Sequence, residues 1–154
     1  MPRSLESMLP DSPPGTTRFY RRIEEKLGAS GVRSDRDLAG LVEKRLPASA
    51  VKALARGGLS ESEIYQLVIP RRTLAHRVAK REALSQEESD RAVRLARVTA
   101  FAEQVFGDSG RAWRWLRQPK KQFTDRSPLE VSGTEAGARL VEELLYQIDD
   151  GLVA

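Results

Sequence analysis

Apolar residues recur at helical spacing along most of the chain, most clearly near the C-terminus. Six residues there take positions i, i+3, i+4, i+7, i+8 and i+11, namely Gly137, Leu140, Val141, Leu144, Leu145 and Ile148. This spacing predicts an amphipathic α-helix with an apolar stripe along one side. The helix is predicted to begin after Thr134 and to end at Gly151. We expect the stripe to form intramolecular core, although an interface is the alternative that the pattern leaves open.

Capping signals divide the rest of the chain into further helices. The segments Ser60-Glu-Ser-Glu63 and Ser85-Gln-Glu-Glu88 both fit a capping box, in which serine and glutamate side chains bond to each other's backbone amides. The second box precedes the longest predicted helix, over 86–106, which Gly107 ends. The sequence shows no alternation of apolar and polar residues and no hairpin turn between apolar runs. It therefore predicts an all-α fold.

The predicted helices suggest three parts of the chain. Residues 1–17 contain four prolines among Ser and Thr residues, which is typical of a flexible arm. Residues 18–82 hold short helices, the last of them basic, and form a predicted helix-turn-helix region. Residues 83–154 form a second helical domain that ends in an apolar tail.

The segment 71–81 carries five basic side chains and no acidic one. Two short helices with a tight turn and a basic second helix are typical of helix-turn-helix DNA-binding proteins. On a helical wheel of about 100° per residue, Leu74 and Val78 point towards the domain and the polar residues point away. The predicted DNA-binding residues are Arg72, Thr73, His76 and Lys80 at base edges and Arg71, Arg77 and Arg81 at phosphates. A solvated basic face is the alternative.

Composition supports two partners of opposite charge. Of the 26 basic residues 20 are arginine, the net charge is +4 and the isoelectric point is about 9.7, which favours an anionic partner. Between residues 130 and 150, however, six acidic residues accompany a single basic residue, Arg139. The basic part suits DNA, whereas the acidic C-terminal part suits a different partner.

Several protein classes are disfavoured by what the sequence lacks. It has no cysteine, its first nine residues are too polar for a secretory signal, and it has no apolar run long enough to cross a bilayer. The single histidine, His76, has no nucleophile or orienting acid placed beside it in sequence. We therefore expect no enzyme, no cofactor, no metal site and no membrane association.

Short segments in the second half of the chain follow one another in an order known from one protein family. They are Arg-Thr-Leu-Ala-His-Arg (72–77), Leu-Ser-Gln-Glu-Glu-Ser-Asp-Arg (84–91), Arg-Leu-Ala-Arg-Val (94–98), Val-Phe-Gly-Asp (105–108), Trp-Leu-Arg-Gln-Pro (115–119), Ser-Pro-Leu-Glu (127–130), Thr-Glu-Ala-Gly-Ala (134–138), Val-Glu-Glu-Leu-Leu (141–145) and Ile148-Asp-Asp-Gly-Leu-Val-Ala154. Together they resemble antitoxins of the Xre/MbcA/ParS group, which pair with RES-domain toxins.

The resemblance implies an Xre-like helix-turn-helix in the middle of the chain and a toxin-binding part at its end. It implies that the C-terminal tail occupies the toxin's active site. The toxin-binding residues would be Ile148, Asp149, Asp150, Gly151, Leu152, Val153 and Ala154. RES toxins resemble ADP-ribosyltransferases and consume NAD, an activity that would belong to the partner. We therefore expect a bacterial cytoplasmic antitoxin that represses its own operon as a homodimer. A helix-turn-helix regulator without a toxin partner is the alternative.

Two segments depart from the pattern of these antitoxins. After Pro119 the family usually continues Asn-x-x-Leu-Gly-Gly, whereas this sequence continues Lys-Lys-Gln-Phe-Thr-Asp. In the turn before the basic helix the family commonly has serine, whereas this sequence has Pro70. The sequence leaves open the role of the 119–127 loop and the DNA contacts near Pro70.

Overall fold

The computed structural model describes residues 14–152 of the 154-residue chain. In this range the chain forms helices α1 (Pro14–Leu27), α2 (Asp35–Lys44), α3 (Ala50–Arg56), α4 (Glu61–Leu67), α5 (Arg71–Lys80), α6 (Gln86–Phe106), α7 (Ser109–Arg117), α8 (Pro128–Val131) and α9 (Glu135–Asp149). Between residues 14 and 152 there is no strand, only an isolated bridge between Lys120 and Arg126. The predicted all-α fold is confirmed.

The first helix begins earlier than the sequence pattern indicates. The predicted flexible arm covers residues 1–17, of which 1–13 lie outside the described residues, but α1 already includes residues 14–17. Residues 14–17 are therefore helical in the structure, whereas the sequence analysis assigned them to the arm. Pro14 is compatible with a helix start because the first-turn amides of a helix have no intrahelical partner to lose.

Both predicted capping boxes are present. Ser60 Oγ accepts from the Glu63 amide at 3.1 Å, and Glu63 accepts from the Ser60 amide at 2.8 Å. The same reciprocal pair at Ser85 and Glu88 measures 3.1 and 2.7 Å. These bonds satisfy amides that would otherwise lack partners at the start of α4 and α6. The predicted bounds of α6 are confirmed at both ends.

A continuous apolar core extends from α1 to α9, and α6 lies at its centre. This helix packs against α1, α2, α7 and α9, and Ala92, Leu95, Ala96 and Val98 on it are completely or almost completely buried. The sequence analysis placed a domain boundary at 82/83, just before this helix. Because α6 packs against helices from both parts, the two parts share one core.

The apolar stripe on α9 is only partly buried. Val141 and Leu145 are fully enclosed, whereas Leu144 and Ile148 are half-buried and Leu140 remains 52% exposed. The prediction that the whole stripe forms core is therefore wrong for Leu140, because α9 packs on α6 and α8 from one side only. We refer to Leu140, Leu144 and Ile148 as the α9 ridge.

Candidate functional sites

Helices α4 and α5 form a helix-turn-helix unit. The turn between them consists of three residues, Val68, Ile69 and Pro70, of which the first two are buried. Arg91 on α6 donates to the carbonyl of Val68 at 3.4 Å. Burial of the two aliphatic side chains thus fixes the turn to the core and holds α5 on the surface.

Helix α5 is attached to the core more lightly than the sequence predicts. Leu74 is half-buried and packs against the core, but Val78, also predicted to face inwards, is 57% exposed. The inward orientation of Val78 was therefore wrong. Val78 instead borders a surface groove of about 440 Å³ beside Pro47 and Ala48. A single apolar anchor leaves most of the α5 surface accessible to a partner.

The predicted DNA-binding residues lie on α5 or directly after it, and all but Arg77 lack an ion-pair partner among the described residues. Arg71, Arg72, His76, Lys80 and Arg81 are exposed, and Thr73 is half-buried. Four of these exposed side chains are cationic, those of Arg71, Arg72, Lys80 and Arg81. They form no ion pair with any residue between 14 and 152. They are therefore free to meet phosphates or base edges.

Arg77 is the exception, because two carboxylates already engage it. Its Nε lies 3.2 Å from Glu88 Oε1 and its Nη1 lies 3.1 Å from Glu82 Oε2. Hydrogen bonds to Glu88 and Glu82 raise the pKa of Arg77. Burial raises the pKa of Glu88, but hydrogen bonds from the Ser85 backbone and from Arg77 lower this pKa by a larger amount. The net shift of the pKa is therefore downward. In this conformation Arg77 ties α5 to the start of α6, unlike the phosphate clamp that the sequence predicts.

The C-terminal end of α9 turns away from the helix axis as predicted. Gly151 has φ of 73°, its amide donates to the Ile148 carbonyl at 3.1 Å, and the Leu152 amide donates to the Gln147 carbonyl at 2.9 Å. These two bonds define a Schellman motif. Leu152 is 76% exposed, and Asp149 and Asp150 are exposed. Of the predicted toxin-binding residues, Val153 and Ala154 lie outside the described residues.

Exposed apolar side chains concentrate at this end of the molecule. Four large hydrophobic residues are exposed between residues 14 and 152, and three of them, Leu140, Tyr146 and Leu152, lie on α9 or directly after it. The α9 ridge continues at four-residue spacing from Leu140 towards Leu152. The exposure of Leu140 agrees with the alternative that the apolar pattern left open, in which part of the stripe lies at an interface.

The 119–127 loop adopts a backbone that explains the family's glycines. Thr124 and Asp125 have φ of 56° and 60°, in the left-handed region, and they occupy the positions where the resembling antitoxins have Gly-Gly. Glycine adopts this conformation freely, whereas a β-branched residue does so only with strain. Lys120 Nζ lies 5.3 Å from the centre of the Trp115 ring, and burial lowers the pKa of Lys120. The loop therefore holds two residues other than glycine in the left-handed region.

Comparison with known families assigns both parts of the chain. Residues 37–97 match the antitoxin Xre-like helix-turn-helix domain, and residues 101–151 match the antitoxin Xre/MbcA/ParS C-terminal toxin-binding domain. A DNA-binding unit joined to a toxin-binding domain defines an antitoxin. The two matched ranges meet within α6, whereas the sequence analysis divides the chain before it.

Curated proteins of similar sequence agree. The antitoxin Xre of Pseudomonas putida is 37% identical over 138 residues, which cover 89% of this chain and 86% of that protein. The Prs ADP-ribosylating antitoxin of a Sphingobium species is 27% identical over 129 residues, 77% of this chain and 81% of that protein. The antitoxin Xre of Yersinia enterocolitica is 36% identical over 85 residues, 54% of this chain and 57% of that protein. The chain belongs to the Xre/MbcA/ParS family of antitoxins.

Family membership confirms several expectations from the sequence. The protein is a non-enzymatic antitoxin that binds DNA through its helix-turn-helix domain and a toxin through its C-terminal domain. The toxin-binding domain disfavours the alternative of a regulator without a toxin. Among residues 14–152 no helix is long and apolar enough to cross a membrane.

Proposed function

We propose that this antitoxin neutralises a RES-domain toxin that consumes NAD, and that it represses its own operon in the bacterial cytoplasm. The observation that carries the proposal is the presence, in one chain, of exposed basic side chains on α5 without ion pairs among the described residues and of a toxin-binding domain followed by the exposed Leu152. The name of the Sphingobium relative includes ADP-ribosylation, a reaction for which NAD is the usual donor. That name and the resemblance to RES-associated antitoxins support an NAD-consuming partner.

Operator binding is proposed for the outer face of α5. Arg72, Thr73, His76 and Lys80 would lie in the major groove, with the flanking arginines Arg71 and Arg81 at phosphates. Arg81 supports this role because it ends α5 with φ of 54°, a left-handed conformation that costs an arginine more than a glycine. Arg77 would contribute by holding α5 against α6 through Glu88.

A homodimer is proposed for the repressor. Helix-turn-helix proteins commonly read two-fold symmetric operators, with recognition helices about 34 Å apart in successive major grooves. A single α5 with one apolar anchor covers only one half-site. Two copies would double the number of phosphate contacts and bind a palindromic operator in the promoter of the antitoxin gene.

Neutralisation is proposed to divide between the α9 ridge and the tail at 152–154. Burial of the three apolar residues of the tail, Leu152, Val153 and Ala154, contributes a few kcal/mol at about 25 cal/mol/Å², so that the ridge and its surroundings must supply most of the affinity. The tail would act by blocking the toxin's active site. The Schellman motif at Gly151 directs the chain away from the helix, which lets Leu152 enter a cleft on the partner.

Removal of residues 152–154 tests this division of roles. We expect the truncated antitoxin to co-purify with its toxin but to leave the toxin's NAD consumption largely uninhibited at equimolar concentration. A matched variant, Leu140→Ala, removes apolar area from the ridge without shortening the tail, and we expect it to weaken the complex while saturating amounts still inhibit. Complete inhibition of NAD turnover by the truncated protein would show that the tail does not occlude the active site.

A further inference from the structure

A cleft of about 310 Å³ lies between α1, α6 and α9, on the side of α9 away from the ridge. One wall is aromatic. The ring of Phe101 lies 6.2 Å from Phe19 and 4.6 Å from Tyr146, measured between centroids. Tyr146 is 60% exposed at the mouth of this cleft. The exposed part of the Tyr146 ring is therefore accessible to a partner, since no residue of the described part of the chain covers it.

The remaining lining residues are polar and carry more negative than positive charge. Arg97 Nε lies 3.2 Å from Glu142 Oε1, and Arg97 Nη2 lies 3.6 Å from Asp35 Oδ2. Tyr20 donates its hydroxyl hydrogen to Asp35 at 2.8 Å, and Asp149 also lines the cleft. Three carboxylates and one guanidinium therefore leave two negative charges uncompensated among the lining residues.

Glu142 is the most buried of the three carboxylates that line the cleft. It is half-buried on α9, between Arg97 and the aromatic wall. Burial raises the pKa of Glu142 and the nearby Glu135 and Asp35 carboxylates raise it further, while Arg97 offsets only part of this shift. A carboxylate that remains destabilised beside its one close cation gains from a second cation.

We propose that this cleft receives an arginine side chain of the toxin. The proposal rests on the proposed function in that the partner is a toxin bound through the C-terminal domain, and Phe101, Glu142, Tyr146 and Asp149 all lie within the range that matches that domain. A guanidinium group stacks on aromatic faces and forms forked hydrogen bonds with carboxylates, so that one arginine suits both the aromatic and the acidic lining residues. Asp149 is the lining residue nearest in sequence to the tail, three residues before Leu152.

Asp149 is one of the predicted toxin-binding residues, and it lines this cleft on the antitoxin itself, where it would accept a cation that the toxin inserts. The contact is therefore separable from occlusion of the active site and can be disrupted with the tail intact.

The test measures the affinity of the full-length antitoxin for the toxin that it co-purifies with, by calorimetry at low and high salt. Glu142→Gln keeps the shape of the side chain and removes its charge, and we expect binding to weaken about tenfold at low salt. Tyr146→Ala is expected to weaken binding by about three- to tenfold, and Tyr146→Phe, which keeps the ring, is expected to bind like wild type. The effect of Glu142→Gln should shrink at high salt because screening weakens the lost ion pair.

Glu143→Gln is the matched control, since Glu143 is an exposed glutamate on the same helix outside the cleft. The proposal would be overturned if wild type binds the toxin tightly and both test variants bind it nearly as well as the control does. In affinity, Glu142→Gln and Tyr146→Ala would then lie within twofold of Glu143→Gln. A change in self-association of Glu142→Gln with unchanged toxin affinity would also overturn it, because the occupant would then be a second copy. Failure of wild type to capture any toxin would instead refute the proposed function. Thermal melting of each variant confirms that binding is compared between folded proteins.

Discussion

At the scale of single residues, the 119–127 loop holds two consecutive residues other than glycine, Thr124 and Asp125, at positive φ. The sequence could not predict this conformation because neither residue favours it, and Thr124 is β-branched. The loop geometry is imposed by the surrounding pairing of Lys120 with Arg126.

Replacement of Thr124 by glycine should therefore stabilise the protein. Relief of left-handed strain contributes about 1 to 2 kcal/mol, and the greater flexibility of glycine in the unfolded chain offsets part of it. We expect a net gain of about 0.5 to 1 kcal/mol in the free energy of unfolding, measured by urea denaturation. Gly107→Ala is the reciprocal control, because Gly107 has φ of 69° and open space where a Cβ atom would lie, and it should destabilise by a similar amount. Lower stability of Thr124→Gly would show that the threonine side chain makes a compensating contact.

At the scale of helices, local sequence signals predicted where helices begin and end, but not which side chains the tertiary packing buries. The bounds of α6 and the end of α9 were predictable because capping residues act on the adjacent turn. The inward orientation of Val78 was not, because helical periodicity gives the direction of a side chain and not the extent of the surface that it meets. Helix α5 has one anchor, Leu74, and its second half lies beside a groove. The same reasoning explains why Leu140 is exposed at the edge of a correctly predicted stripe.

Single substitutions on α5 separate base reading from phosphate binding. Arg72→Ala should weaken the free energy of binding to DNA from its own promoter by about 1 to 3 kcal/mol and relax base preference, as expected if Arg72 makes the proposed bidentate contact to guanine. Arg81→Ala should weaken binding to all DNA sequences by a similar factor, and it should reduce the salt dependence of binding by about one phosphate contact. Gel shifts over a salt series measure both effects, and Arg111→Ala on α7 is a charge-matched control. Unchanged binding in both α5 variants would exclude this helix as the operator contact.

At the scale of the molecule, the parts that match separate families form one folded unit. Arg117 on α7 donates to Glu63 Oε2 at 2.9 Å and to the Gly58 carbonyl at 2.8 Å, and Arg94 donates to the Gly133 carbonyl at 3.1 Å. These contacts join residues between 39 and 59 positions apart in sequence. Local sequence patterns do not predict contacts between residues so far apart in sequence. The sequence therefore predicted two regions but not the core that they share.

The close approach of Trp113 to Gly58 provides a test of that common core. A Cβ atom at position 58 would lie 2.5 Å from two Trp113 ring carbons, and Gly58 has φ of 124°. Gly58→Ala should therefore lower the free energy of unfolding by about 2 to 4 kcal/mol, since the rigid indole cannot move without disturbing the core. Gly57→Ala is the adjacent control, with φ of −77° and its nearest contact a flexible lysine carbon at 3.3 Å, and it should cost less. Because α3, α6 and α7 meet at this point, tryptophan fluorescence and far-ultraviolet circular dichroism should report one coincident transition in both variants. Two separate transitions would show that the helix-turn-helix and toxin-binding parts unfold independently, and that a partner bound to one part has no influence on the stability of the other.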